Sequence, residues 1–151
     1  MIHAQNTKLV SITPPAAIVD NTSYTTAEVD TAGFDYAQVI VYLGATDIAM
    51  TALAVTESDV SGSGHAAVTG LVFGTSDNIA GSTSALPSAT DDNKFQVFDI
   101  DLRGRKRYLD VLATAGDGTA GTFATILCIL SRAGDAPVTA AERGCDEVLA
   151  V

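Results

Sequence analysis

Tryptophan is absent from this chain, and cysteine nearly so: Cys128 and Cys145 are the two in 151 residues. Two cysteines cannot build the disulfide framework of a small secreted domain. A chain of this length, read as one domain over residues 1–151, can bury a core large enough to need none. Cys128 lies inside an apolar run, which marks it as a small buried hydrophobe; a bond to Cys145 is the alternative. Charge is scarce as well. Charged residues make up 17% of the chain, below the usual quarter, and Thr, Ser, Ala and Gly take their place. Only 8 residues are Lys or Arg against 18 Asp or Glu, for a formal net charge of -10. That balance excludes a general nucleic-acid binder, because a phosphate backbone selects basic surfaces.

Long hydrophobic runs are missing too. The longest strongly apolar stretch, residues 123–130, is far too short to cross a bilayer, so no membrane partner is expected. The N-terminal MIHAQNTKLVSITPP has no basic segment leading into an apolar one, so the expectation is synthesis in a cytoplasm without a signal peptide. Catalytic signatures are equally absent. There is no Gly-x-Ser-x-Gly elbow and no phosphate-cradling Gly-Lys-Ser/Thr loop. His3 and His65 have no third ligand at zinc-like spacing. In SGSGH (61–65) a serine and a histidine are close in sequence, but that is not triad geometry. The chain therefore reads as a non-enzyme with no cofactor and no metal.

What is present is strand patterning. Residues 36–43 (YAQVIVYL) place Val39, Val41 and Leu43 on one face and Ile40 and Tyr42 on the other. Residues 122–131 (TFATILCILS) are again apolar on both faces. Strands of that kind are expected to be central and covered on both sides. Further strands are expected over residues 8–12, 16–20, 24–30, 48–57 and 68–73. Residues 1–7 read as a loose N-terminal arm. Residues 58–93 read as a long irregular region holding one strand, either a mobile surface loop or a loop ordered by a partner. A helical turn is expected at residues 139–144, and residues 145–151 would close the fold as an edge strand or docked tail.

The most regular stretch is KFQVFDIDLRGRKRYLDVLATA, residues 94–115. Phe98, Ile100 and Leu102 share one parity; Leu109, Val111 and Ala113 share another. With a turn at residues 103–106, the two sets fall on one side of an antiparallel hairpin. Asp99 would then oppose Asp110, with Asp101 nearby. Such a cluster leaves a Ca²⁺ site open as an alternative to compensation by neighbouring Arg and Lys. Residues 122–131 would pair with the second strand of the hairpin. Eight or nine short strands with turn signals every ten or so residues give an all-β fold, an antiparallel β-sandwich. Eight strands in two sheets would make a jelly roll. An immunoglobulin-like sandwich is the alternative, and the missing tryptophan counts against it.

Arg103, Arg105, Lys106 and Arg107 are four of the eight basic residues, placed within five positions. One reading is a solvated tip whose charge blocks edge-to-edge aggregation. The other is an anchor on an acidic partner surface, since Arg pairs bidentately with carboxylates.

The acidic, Thr/Ala-rich segment VDTAGFDYAQVIVYLGATDIAMTALAVTES (29–58) and the later FQVFDIDLRGRKRYLDVLATAGDGTAGTFATILCILSRAGDAP (95–137) resemble the capsid decoration, or cement, proteins of tailed phages. The resemblance implies a β-sandwich or jelly roll on the outer capsid surface of a virion. Such a protein would be a homo-oligomer, a trimer, clamping neighbouring subunits of the major capsid protein. Choosing Arg103, Arg105, Lys106 and Arg107 as the partner contact rests on their charge, not on the resemblance. A receptor- or carbohydrate-binding sandwich of a fibre or tail is the alternative function.

Overall fold

The inner apolar rows read from the sequence do form, and two sheets bury them against each other. The computed structural model describes residues 3–149. Its strands are β1 (Thr7–Thr13), β2 (Val29–Asp30), β3 (Phe34–Thr46), β4 (Ala52–Ser58), β5 (Ala66–Val72), β6 (Phe95–Asp101), β7 (Tyr108–Thr114) and β8 (Thr122–Ala133). The first sheet has the order β1-β8-β3-β6 and the second β2-β7-β4-β5. All pairings are antiparallel.

Among these strands β1 pairs β8, β2 pairs β7, β3 pairs β6 and β4 pairs β5. This is one long ribbon rolled up on itself, the jelly-roll topology. Every connection but one therefore crosses from one sheet to the other; β4 to β5 is the exception. Facing sheets stand about 10 Å apart, so a crossing needs several residues. Between β6 and β7, residues 102–107 make it, with a turn closed by Arg105 N–H to Leu102 O at 3.0 Å. Gly104 sits there at φ +85, a value that glycine adopts without strain.

This overturns the hairpin expected over residues 94–115. The parity is right: Phe98, Ile100, Leu102, Leu109, Val111 and Ala113 are all buried. They face one another across the core from opposite sheets instead of lying side by side on one. Asp99 is paired with Gln38 and Asp110 with Thr56, so the two aspartates do not oppose each other and the Ca²⁺ alternative loses its geometry. β8 pairs β1 and β3, not the strand over residues 108–114.

Inside, the rows Ala37–Leu130, Val39–Cys128 and Val41–Ile126 of the first sheet meet Leu53–Ala113 and Val55–Val111 of the second. Phe73 packs edge-on against Phe98, with centroids 5.1 Å apart. Each such aliphatic side chain contributes about 1.5–3 kcal/mol by leaving water.

Residues 14–28 are not the two strands expected. They strap the end of the sandwich through single bridges, Val19 to Thr122 and Ser23 to Thr114. Buried Tyr24 donates its hydroxyl to Thr122 O at 2.6 Å, and desolvation pushes its pKa up to about 12. Of the arm expected over residues 1–7, residues 1 and 2 lie outside the described residues; His3–Asn6 is a 3-10 turn and Thr7 opens β1.

The irregular region 58–93 is tied by its own polar side chains. Ser84 Oγ donates to Ser76 O at 2.7 Å, and Asn78 Nδ2 donates to Ser82 Oγ at 3.0 Å. Ser88 and Asp91 form a capping box on the 3-10 turn Ala89–Asp91. The turn expected at residues 139–144 docks on β1, with Leu9 N–H donating to Arg143 O at 2.9 Å. Gly144 there has φ +70, and a Cβ at this position would collide with Leu9 O. Residues 145–149 form no strand.

Both cysteines are free, Cys128 buried and Cys145 half-buried. Burial pushes the Cys128 thiol up to about 12, which suppresses the reactive thiolate. Iodoacetamide at pH 8 is thus expected to alkylate Cys145 alone in the native protein and both cysteines in denaturant; native alkylation of Cys128, read by mass spectrometry, would contradict the core placement. Phe98→Ala is expected to cost about 3–5 kcal/mol in urea unfolding.

Candidate functional site

The outward rows of the first sheet follow from its register. Phe95, Tyr42 and Thr125 lie abreast; next come Val97, Ile40, Leu127 and Ser11; then Asp99, Gln38, Ile129 and Leu9. Asp99 is the one charged residue among these eleven, and it accepts from Gln38 Nε2 at 2.8 Å. Phe95 is 62% exposed, and Tyr42, Val97 and Leu9 are each 42% exposed. The Tyr42 and Phe95 rings stack with centroids 4.5 Å apart.

Strand spacing and rise make this patch roughly 300 Å², the size at which exposed apolar surface on a monomer is often functional. At one end the character changes. Asp101, Tyr36, Ser131 and Thr7 form the next row, and the guanidiniums of Arg103 and Arg132 lie 5.5 and 5.4 Å from the Tyr36 ring centre. A shallow depression of about 670 Å³, lined by Leu9, Ile129, Gln38, Asp99, Arg143 and Cys145 among others, lies at the docked C-terminal turn. An apolar centre with a polar rim is the anatomy of a protein interface. The outer face of the second sheet differs: β4 places Ala52, Ala54, Thr56 and Ser58 on that side, Ala54 and Ser58 buried, opposite Thr114, Leu112, Asp110 and Tyr108 of β7.

Sequence reasoning found the residues of this face but not its role. Strands 36–43 and 122–131 were expected to be covered on both sides. The second sheet covers one side; on the other, the docked C-terminal turn with Arg143 and Cys145 borders Leu9 and Ile129, and most of the face stays open. The signal was the two-faced apolar pattern itself.

The basic turn lies at the crossing between the sheets, and carboxylates from both sheets meet it. Arg103 Nη2 reaches Asp101 Oδ2 of β6 at 2.6 Å. Arg107 grips Asp30 of β2 with two hydrogen bonds of 2.8 Å, and its guanidinium lies 5.1 Å from the Tyr108 ring centre. Arg105 is 3.5 Å from Glu57 of β4, and Lys106 is 4.0 Å from the exposed Asp59. The Arg103 hydrogen bonds hold the Asp101 carboxyl down at about 2, and Arg107 lowers that of Asp30. Arg103 and Arg107 are thus committed within the chain. Arg105 and Lys106 hold their partners at longer range.

Ser61 and His65 do come together, but around a carboxylate. Glu28 Oε1 accepts from Ser61 Oγ at 2.7 Å. Its Oε2 lies 2.7 Å from His65 Nε2 and accepts from Gly62 N–H at 2.9 Å. With no Ser–His hydrogen bond this is a clasp for the loop, not a nucleophile and base. The Gly62 and Ser61 donors lower the Glu28 pKa.

No protein-family model matches the chain, and no curated protein matches it. Among solved structures it is similar to the crystal structure of the SPBc2 prophage-derived protein YomS, with a TM-score of 0.49 and 12% identity over 83% of this chain and 93% of that one.

Because the Glu28 carboxyl titrates lower in the folded chain than in the unfolded one, its clasp adds stability in full above the ordinary glutamate range. That stability is lost as the pH falls through the lowered value. The Gly62 amide resonance is expected to shift with a midpoint below that range, and to lose the transition in Glu28→Gln. A midpoint at the ordinary glutamate value would contradict the clasp.

Proposed function

We propose that this chain is a non-catalytic structural protein of a phage virion, decorating the outer capsid surface by seating its jelly roll between neighbouring major capsid subunits. The observation that carries this reading is the open outer face of the first sheet, an apolar centre spanning four strands with a polar rim. A sandwich with one finished face and one unfinished face is built to be held against something. The resemblance of residues 29–58 and 95–137 to decoration proteins supplies the rest: the capsid lattice as partner and the trimer as assembly.

Symmetric copies convert weak single contacts into firm attachment by avidity. The net charge of -10, carried away from the contact face, keeps decorated particles apart. Arg105 and Lys106 give a second contact to carboxylates of the lattice. One observation favours a second reading, a receptor- or carbohydrate-binding module: the stacked Tyr42 and Phe95 are exposed, as sugar-binding aromatics are. Each of these rings, however, already covers a face of the other.

Light scattering of the purified protein, then sedimentation with capsids stripped of accessory proteins, tests the proposal. The expected result is a trimer that sediments with particles. Tyr42→Lys with Leu127→Lys is expected to keep the native circular dichroism and lose attachment about tenfold or more. Full attachment by this folded variant would refute the face as the contact. A monomer that ignores particles and binds a glycan array would favour the second reading.

A further inference from the structure

Each sheet of an open sandwich ends in two edge strands whose outward backbone groups need an answer. Three of the four edges here have one. β1 is met by the docked C-terminal turn, through Leu9 N–H to Arg143 O. β2 is two residues long. β5 carries a register irregularity opposite Ala54–Thr56 and has Gly70 at φ +88.

β6 is different. Its ladder with β3 is fixed in phase by Leu43 N–H to Lys94 O at 3.1 Å and Leu102 N–H to Asp35 O at 2.8 Å. In that phase Gln96, Phe98 and Ile100 bond to β3, and Phe95, Val97, Asp99 and Asp101 turn their N–H and C=O groups to the open edge. No hydrogen-bond partner meets these groups among the described residues. Beside the edge runs a groove of about 530 Å³, walled by Ser76, Asn78 and Ile79 of the long loop, with Phe73, Leu71 and Gln96 among its lining.

We infer that the open edge of β6 receives an extended segment of a partner protein as a fifth strand of the first sheet. A single strand can enter between β6 and the wall of residues 76–79, where the edge of a second sandwich would meet that wall first. The chemistry of the segment follows from the pleat. Its alternate residues point inward, to the groove beside Phe73 and Leu71, and are apolar. The others lie on the outer face beside Val97 and Asp99, and the one next to Asp99 is Lys or Arg. Among the described residues the hydrogen-bond partner of Asp99 is the neutral Gln38 amide, and Asp77 and Asp91 line the groove with it, so this side of the edge is acidic. The inference stands on the backbone phase, the groove and this charge, and holds whatever the virion reading turns out to be.

Hydrogen exchange at single-residue resolution, with the peptide KVTVKVT at millimolar concentration as probe, tests it on the full chain. The amides of Phe95, Val97, Asp99 and Asp101 exchange freely alone and slow by about tenfold or more with peptide; those of Gln96, Phe98 and Ile100 are slow throughout. The acidic peptide EVTVEVT protects them far less, and Asp99→Lys reverses that preference. Val97→Pro removes an outward N–H without touching a β3 hydrogen bond and abolishes protection. Should that variant not fold, the Asp99→Lys reversal decides. No slowing with KVTVKVT overturns the inference. Protection that grows with protein concentration alone also overturns it, by making the occupant a second copy.

Discussion

The apolar inner rows of the two sheets have only each other for cover, and most of the architecture follows from that. β3 and β8, the two longest strands, form the centre of the first sheet, and β4 and β7 form the centre of the second. Consecutive strands alternate between sheets at every connection but one, so neither sheet can be completed from a continuous piece of chain. β1 finds its partner in β8, at the far end of the sequence. Such non-local pairing costs loop-closure entropy before any contact rewards it, which makes assembly slow and cooperative. It also leaves no sub-sandwich that could bury its own inner face alone.

This is why the sequence disclosed faces but not partners. Period-2 alternation records which side of a strand is inward, and that reading holds for Phe98, Ile100, Leu109, Val111, Val39 and Val41. It is silent on which strand lies alongside. The sandwich was legible because eight or nine short segments separated by turns admit few other folds. The pairing of residues 94–115 was not, because sequential strands are neighbours in most sheets, and a rolled ribbon is the case where they are not. Residues 14–28 defeated the reading differently. Their Thr-rich alternation fits a strand, yet they are spent on crossing between sheets, where single bridges replace a ladder.

The crossing also explains the density of charge in residues 103–107. A connection that spans two sheets passes carboxylates from both: Asp101 on the first, Asp30 and Glu57 on the second. Four basic side chains in five positions are therefore mostly a local answer to local acid. Exposed pairs of this kind are screened by salt and orient a loop more than they stabilise a fold. A charge cluster in a sequence advertises a partner only after its own neighbours have been counted, and here that count finds a carboxylate for each of the four.

The outer face of the first sheet resists the same deflation. Its apolar residues are not placed there by the fold, since the second sheet closes the sandwich with an outer face whose β4 and β7 residues are Ala, Thr, Ser, Asp110 and Tyr108 around Leu112. Nor is the face a by-product of sparse charge, because acidic side chains crowd the loops and the crossing while Asp99 stands alone in the three apolar rows. In a chain of net charge -10, like-charge repulsion keeps neighbours away from most of the surface and is weakest over this patch. Contact over these rows would also release water from aromatic and aliphatic side chains. The open edge of β6 borders the same region, through Phe95 and Val97, so a strand added there would extend this apolar face instead of competing with it.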